Sequence, residues 1–112
     1  MDYVFDVDDA LVEPHKCINL SFHDQFLHFC EQHSVMILTT NKSEEVEEIL
    51  GKQICRNVKI IQEIPHVNVV YFGNHDIQTL NTFRVKDWKQ TKELLDGIES
   101  TYYTRFGYKH IA

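Results

Sequence analysis

The sequence predicts an α/β sandwich, a mostly parallel sheet of about five strands with helices on both faces. Three observations carry that expectation. Short apolar runs alternate along the chain with segments whose apolar residues recur at helical spacing. The run Val35-Met36-Ile37-Leu38-Thr39 is continuously apolar up to its end, as expected of a strand covered on both faces. Only 4 glycines and 2 prolines punctuate the 112 residues, which leaves little room for linkers and fits one domain spanning 1–112.

Taken in order, residues 3–7 read as the first strand, and residues 9–20 as a loop carrying Pro14. Phe22, Phe26, Leu27, Phe29 and Cys30 place an amphipathic helix over roughly 21–33. Ser21 with Asp24 resembles its capped start. Residues 35–39 form the second strand. Ser43 can cap the next helix, with Glu44 and Glu45 favourable in its first turn and Val46, Ile49 and Leu50 as its apolar stripe. Glu44, Glu45, Glu47 and Glu48 then make a solvated face. Residues 58–61 and 67–72 supply the third and fourth strands, the latter broken by Gly73. A short helix is expected over 76–81, a weak fifth strand over 82–85, and a last helix over 88–98 with Leu94, Leu95 and Ile98 inward. The tail, about 100–112, is aromatic and has no assigned role. Tyr102, Tyr103, Phe106 and Tyr108 suit either a recognition patch or a cover folded back over bare core. Right-handed crossovers complete a Rossmann-like three-layer sandwich.

A net charge of −6 argues against a nucleic-acid partner, because phosphate backbones call for a basic surface. No apolar run approaches the ~20 residues of a membrane span, and no basic-then-apolar leader is visible. Cys17, Cys30 and Cys55 are odd in number and lack a Cys-x-x-Cys pair, so they read as reduced thiols in a cytoplasmic setting.

The functional signal is Tyr3-Val4-Phe5-Asp6-Val7-Asp8-Asp9-Ala10-Leu11, an apolar run that stops at two carboxylates spaced i, i+2. In an extended strand such residues point the same way, so Asp6 and Asp8 are expected to converge off the strand end. Ligands of open α/β sheets bind there. Paired carboxylates suit a hard cation such as Mg²⁺ and a division of labour between nucleophile and general acid/base. The second and fourth strands bring Thr39 and Asn74-His75-Asp76 to the same rim. His75 suits a metal ligand or a merely exposed histidine.

These residues resemble the haloacid dehalogenase (HAD) superfamily, most closely its phosphomannomutase-like phosphatase branch, which includes viral members. Residues 6–11 resemble the family's DxDGTL signature. Thr39 falls where the family has a phosphate-holding Ser/Thr, residues 71–74 resemble the strand into its acidic metal motif, and residues 85–91 its last strand-to-helix turn. The resemblance implies an aspartyl-phosphate intermediate on Asp6, acid/base work by Asp8, phosphate binding by Thr39, and Mg²⁺ held by Asp6, the carbonyl of Asp8 and Asp76. Departures accompany it. The family's Gly and Thr are Asp9 and Ala10, and the first acidic residue of the metal motif is Asn74. Only residues 62–66 stand where the branch carries a cap domain and its phosphate-binding Lys, for which Lys42, Lys52 and Lys59 are the substitutes at hand. Two readings result. One is a minimal Mg²⁺-dependent phosphatase with a phosphorylated substrate. The other is a degenerate HAD-like module, a pseudoenzyme that binds and regulates another protein, with a homodimer as a further way to cover exposed surface.

Overall fold

A computed structural model describes residues 1–102 of the chain, and the expectations for the aromatic tail beyond fall outside the described residues. The fold is a Rossmann-like α/β sandwich whose five-stranded, all-parallel sheet is flanked by helices. Strands β1 (Asp2–Asp6), β2 (Ser34–Leu38), β3 (Lys59–Ile61), β4 (Val69–Gly73) and β5 (Asn81–Arg84) run in the order β3-β2-β1-β4-β5. The strand bearing the acidic motif is therefore central. Asp6 lies opposite Leu38 of β2, and Phe5 opposite Phe72 of β4.

Helices α1 (Leu20–Gln32), α2 (Ser43–Leu50) and α3 (Lys52–Cys55) supply the crossovers from β1 to β2 and from β2 to β3, and α4 (Trp88–Tyr102) follows the last strand. Two helix starts differ from expectation. Asn19, not Ser21, caps α1 by accepting the Ser21 N–H at 2.9 Å. Ser43 is already helical in α2, behind Lys42, so its hydroxyl caps nothing. At α4 the Gln90 N–H is taken by Asp87 and the Lys86 N–H by the Gln90 side chain, a reciprocal start of the Asp-x-x-Gln kind. Between α2 and α3, Gly51 adopts φ +88°, a left-handed conformation that disfavours any side chain, which ends α2 and sets off the short α3. The helix expected over 76–81 is an irregular loop instead.

The sheet faces are closed unequally. One face packs Phe5, Val35, Ile37, Val70 and Phe72 against Phe22, Phe26, Phe29, Val46, Leu50, Ile54 and Leu95, so every described helix adds its buried residues to one cluster. The opposite face, built on Val4, Val69 and Tyr71, is packed by Ile64 and Ile77 from the segments flanking β4. On this face the cover includes connecting chain, because residues 62–68 run from the end of β3 to the start of β4 across two strands. Covering that span in nearly extended form leaves nothing to coil. Among the described residues no helix is long and apolar enough to cross a membrane.

Aromatic packing fixes the central strand. Phe5 is fully buried, stacks on Phe72 with centroids 4.4 Å apart, and meets the edges of Phe26 and Phe29 at 5.0 and 5.8 Å. Such pairs add about 0.5–1.5 kcal/mol each beyond area burial. Replacing Phe5 by Ala is expected to lower unfolding stability by about 3–5 kcal/mol in urea titrations. A loss below ~1 kcal/mol would mean that this aromatic cluster does not organise the core.

Candidate functional site

Strand β1 ends at Asp6 because the chain then closes into a single π-type turn, Val7–Leu11, with the Val12 N–H donating to the Val7 carbonyl at 3.0 Å. Val7, Ala10 and Leu11 are buried beneath the turn. That leaves Asp8 and Asp9 directed outward. The i, i+2 argument for Asp6 and Asp8 assumed that the strand continues, and it does not. Asp8 instead reaches the site through the turn. It is exposed and lines the mouth of a cleft of about 240 Å³ together with Asp6, Thr39, Thr40, Gln62 and His75.

Asp6 is the buried member, with a relative exposure of 9%. Its Oδ2 lies 3.1 Å from His75 Nε2 and 3.4 Å from the Tyr71 hydroxyl, which donates to it. Asp9 Oδ2 lies 3.9 Å from the same imidazole nitrogen. Burial, reinforced by the charge of Asp9, pushes the Asp6 carboxyl up to about 6, while His75 and Tyr71 act in the opposite sense. Burial, with the Asp6 charge behind it, raises the Tyr71 phenol to about 12, so it remains a donor.

Tyr71 reaches Asp6 because of Gly73. Residues 71 and 73 share a face of β4, and a β-carbon at Gly73 would overlap the Tyr71 ring and hydroxyl. The phenol occupies the space that a side chain would fill. Its oxygen also accepts the His75 backbone N–H at 3.4 Å, tying the loop after β4 to the carboxylate on β1.

The remaining expected residues are placed as follows. Thr39 is buried at the end of β2, and its hydroxyl accepts the Asn41 N–H at 3.0 Å, a turn-stabilising bond that leaves its own proton to donate. Asp76 shares the rim but pairs with Arg84, whose other nitrogen donates to the Asn74 carbonyl, and it stands apart from the Asp6 group. The carboxylate and imidazole atoms that do converge are those of Asp6, Asp9 and His75, all within 4.8 Å of one another. Lys42, Lys52 and Lys59 do not line the cleft, and neither does any other Lys or Arg among the described residues. This convergent set is two carboxylates and an imidazole, whereas Mg²⁺ favours oxygen ligands in near-octahedral array. Asp9 and Tyr71 carried no separate signal in the sequence. Asp9 read as a departure from a motif, and Tyr71 as a strand residue whose inward face hid a polar tip.

A carboxyl whose folded-state value exceeds its unfolded one favours the fold below the unfolded value, and that contribution is lost as pH rises through the folded value. For Asp6 the window runs from 3.8 to about 6. In EDTA, Asp6→Asn should therefore gain about 1–3 kcal/mol relative to the parent between pH 4 and pH 7, read from paired urea titrations. A difference independent of pH would mean that Asp6 ionises as though exposed. Compared with known proteins, the chain is matched by no family model, no curated protein and no solved structure.

Proposed function

We propose that the chain is a minimal HAD-like phosphoester hydrolase in which Asp6 is the nucleophile. The observation that carries this reading is a buried carboxylate at the end of the central parallel strand, opening onto a cleft that also holds Asp8 and Thr39. Ionised Asp6 attacks phosphorus, the bond from phosphorus to the leaving oxygen breaks, and an aspartyl phosphate forms. Asp8, exposed at the mouth, protonates the departing oxygen and then takes a proton from the water that hydrolyses the acyl phosphate. The Thr39 hydroxyl donates to a phosphate oxygen. Asp8 also lines a second, larger hollow of about 580 Å³ bounded by Val12, Pro14, Cys17, Glu45 and Glu48, which gives a leaving group room to depart. With no Lys or Arg lining the cleft among the described residues, a dianionic phosphate needs positive charge from His75 or from a cation held beside it.

Hydrolysis of p-nitrophenyl phosphate is the direct test. Turnover should vanish in Asp6→Asn and fall by about 10²–10⁴ in Asp8→Asn. The parent rate should decline towards acid pH as the Asp6 nucleophile takes up its proton, at a pH that a bound cation would lower. Turnover that survives Asp6→Asn would refute the assignment.

A second reading has its own observation. The opposite rim exposes Met1, Val67 and Leu80, with relative exposures of 68, 56 and 58%, at or beside the starts of β1, β4 and β5. The Leu80 N–H donates to the Val67 carbonyl at 2.7 Å, which holds two of these side chains together. Under this reading the acidic rim is inert and the apolar rim binds protein, the simplest case being a second copy. Sedimentation velocity should then show a dimer that Leu80→Asp dissociates. A monomer at all concentrations would remove the homodimeric form of this reading.

A further inference from the structure

We infer that Asp6, Asp9 and His75 form a binding site selective for a divalent transition cation, of the Mn²⁺, Co²⁺ or Zn²⁺ kind, over Mg²⁺. This inference deepens the cation requirement of the proposed hydrolase but stands on the geometry of the three side chains alone. Ligand atoms bound at about 2.1 Å to one ion lie about 3.0 Å apart at a right angle and about 3.5 Å apart at the tetrahedral angle. Of the separations here, 3.1 Å from His75 Nε2 to Asp6 falls between those values and 3.9 Å to Asp9 lies just beyond the larger, so a small inward rotation of Asp9 would close the set on an ion. The three residues come from two elements that the sheet holds side by side, the end of β1 with its π-type turn and the loop after β4.

Charge supplies the second argument. Asp6 is nine-tenths buried, faces the cleft, and has Asp9 beside it, yet neither carboxylate pairs with a Lys or Arg among the described residues. The nearest guanidinium, that of Arg84, is committed to Asp76 and the Asn74 carbonyl. Two carboxylates sharing one site with no fixed cation are stabilised by a bound one. The imidazole then decides which. Nitrogen donors suit Mn²⁺, Co²⁺ and Zn²⁺, whereas Mg²⁺ retains water and oxygen ligands, and affinity at such a site rises from Mn²⁺ towards Co²⁺ and beyond. The open cleft leaves coordination positions for water or a phosphate oxygen. Of the other carboxylate–imidazole contacts, Asp2 with His66 at 3.1 Å lies at the opposite rim with the Ser34 hydroxyl on the same carboxylate, and Asp24 with His23 at 2.9 Å joins neighbours within α1; neither brings a second acidic ligand.

The test uses the full chain, stripped with EDTA and carrying Cys17→Ser to remove the exposed thiol. Co²⁺ should raise the melting temperature at concentrations at least about tenfold below those needed for Mg²⁺, and should show d–d absorption bands altered by a nitrogen ligand. His75→Ala, at a 66% exposed side chain, should lose about 10–100-fold in Co²⁺ affinity and leave the weak Mg²⁺ effect unchanged, while His66→Ala should change neither. Equal affinities for Co²⁺ and Mg²⁺, or Co²⁺ affinity unchanged in His75→Ala, would overturn the site. The two proposals fail separately. Co²⁺ bound through His75 with no phosphoester turnover supports this site and removes the hydrolase. Mg²⁺-supported turnover that persists in His75→Ala without Co²⁺ selectivity does the reverse.

Discussion

The placement of one carboxylate governs the rest of the rim. Asp6 ends the central strand of a parallel sheet, with β2 on one side and β4 on the other. A group in that position cannot retreat into solvent without breaking the register that buries Phe5 one residue earlier. Its ionised form is therefore disfavoured by burial, and its surroundings answer that cost in part. Tyr71 donates a hydrogen bond, His75 brings a titratable nitrogen, and Asp9 works against both. The hydrophobic packing of β1 holds the carboxylate where its own solvation would not. Local strain of that kind is characteristic of sites that do chemistry or bind ions.

The sheet was legible in the sequence because parallel strands buried on both faces leave uninterrupted apolar runs, and each of the five runs corresponds to a strand within a residue or two. The helices were legible where their stripes were long, as in α1 and α4. They were misjudged where a side chain two residues upstream took over the capping, as at Asn19. The unequal covering of the sheet was not legible. Ile64 and Ile77 sit in stretches without helical or strand periodicity, and only the path of the chain shows that each is a plug for the second face.

The site was legible in its anchor and not in its partners. Asp6 and Thr39 follow from strand ends, which apolar runs mark well. The partner of Asp6 did not, because the spacing argument extended the strand past the point where Val7–Leu11 closes into a π-type turn. Turn geometry of this kind depends on burying Val7, Ala10 and Leu11 together, a tertiary requirement with no short-range signature. His75 and Asp76 are neighbours in an irregular loop, and nothing in a dipeptide says which of the two faces the carboxylates. The structure chooses His75, through contacts made by residues outside the dipeptide.

Those contacts give Asp76 a role other than that of ligand. Arg84, at the end of β5, reaches Asp76 and the Asn74 carbonyl at once, and so clasps the loop after β4 from its outer side. The Tyr71 hydroxyl holds the same loop from within by accepting the His75 N–H, in the space left by Gly73. Held at both points, the loop presents His75 to Asp6 and Asp9. The clasp also commits the Arg84 guanidinium to Asp76 and the Asn74 carbonyl and not to the two carboxylates. Had Arg84 been free to reach them, Asp6 and Asp9 would carry a fixed positive partner and have little affinity for a cation. Asp76 therefore shapes the site through Arg84, by fixing the imidazole in place and leaving the acidic pair uncompensated. On the proposed reading, it is this uncompensated negative charge, more than any single side chain, that a cation would answer.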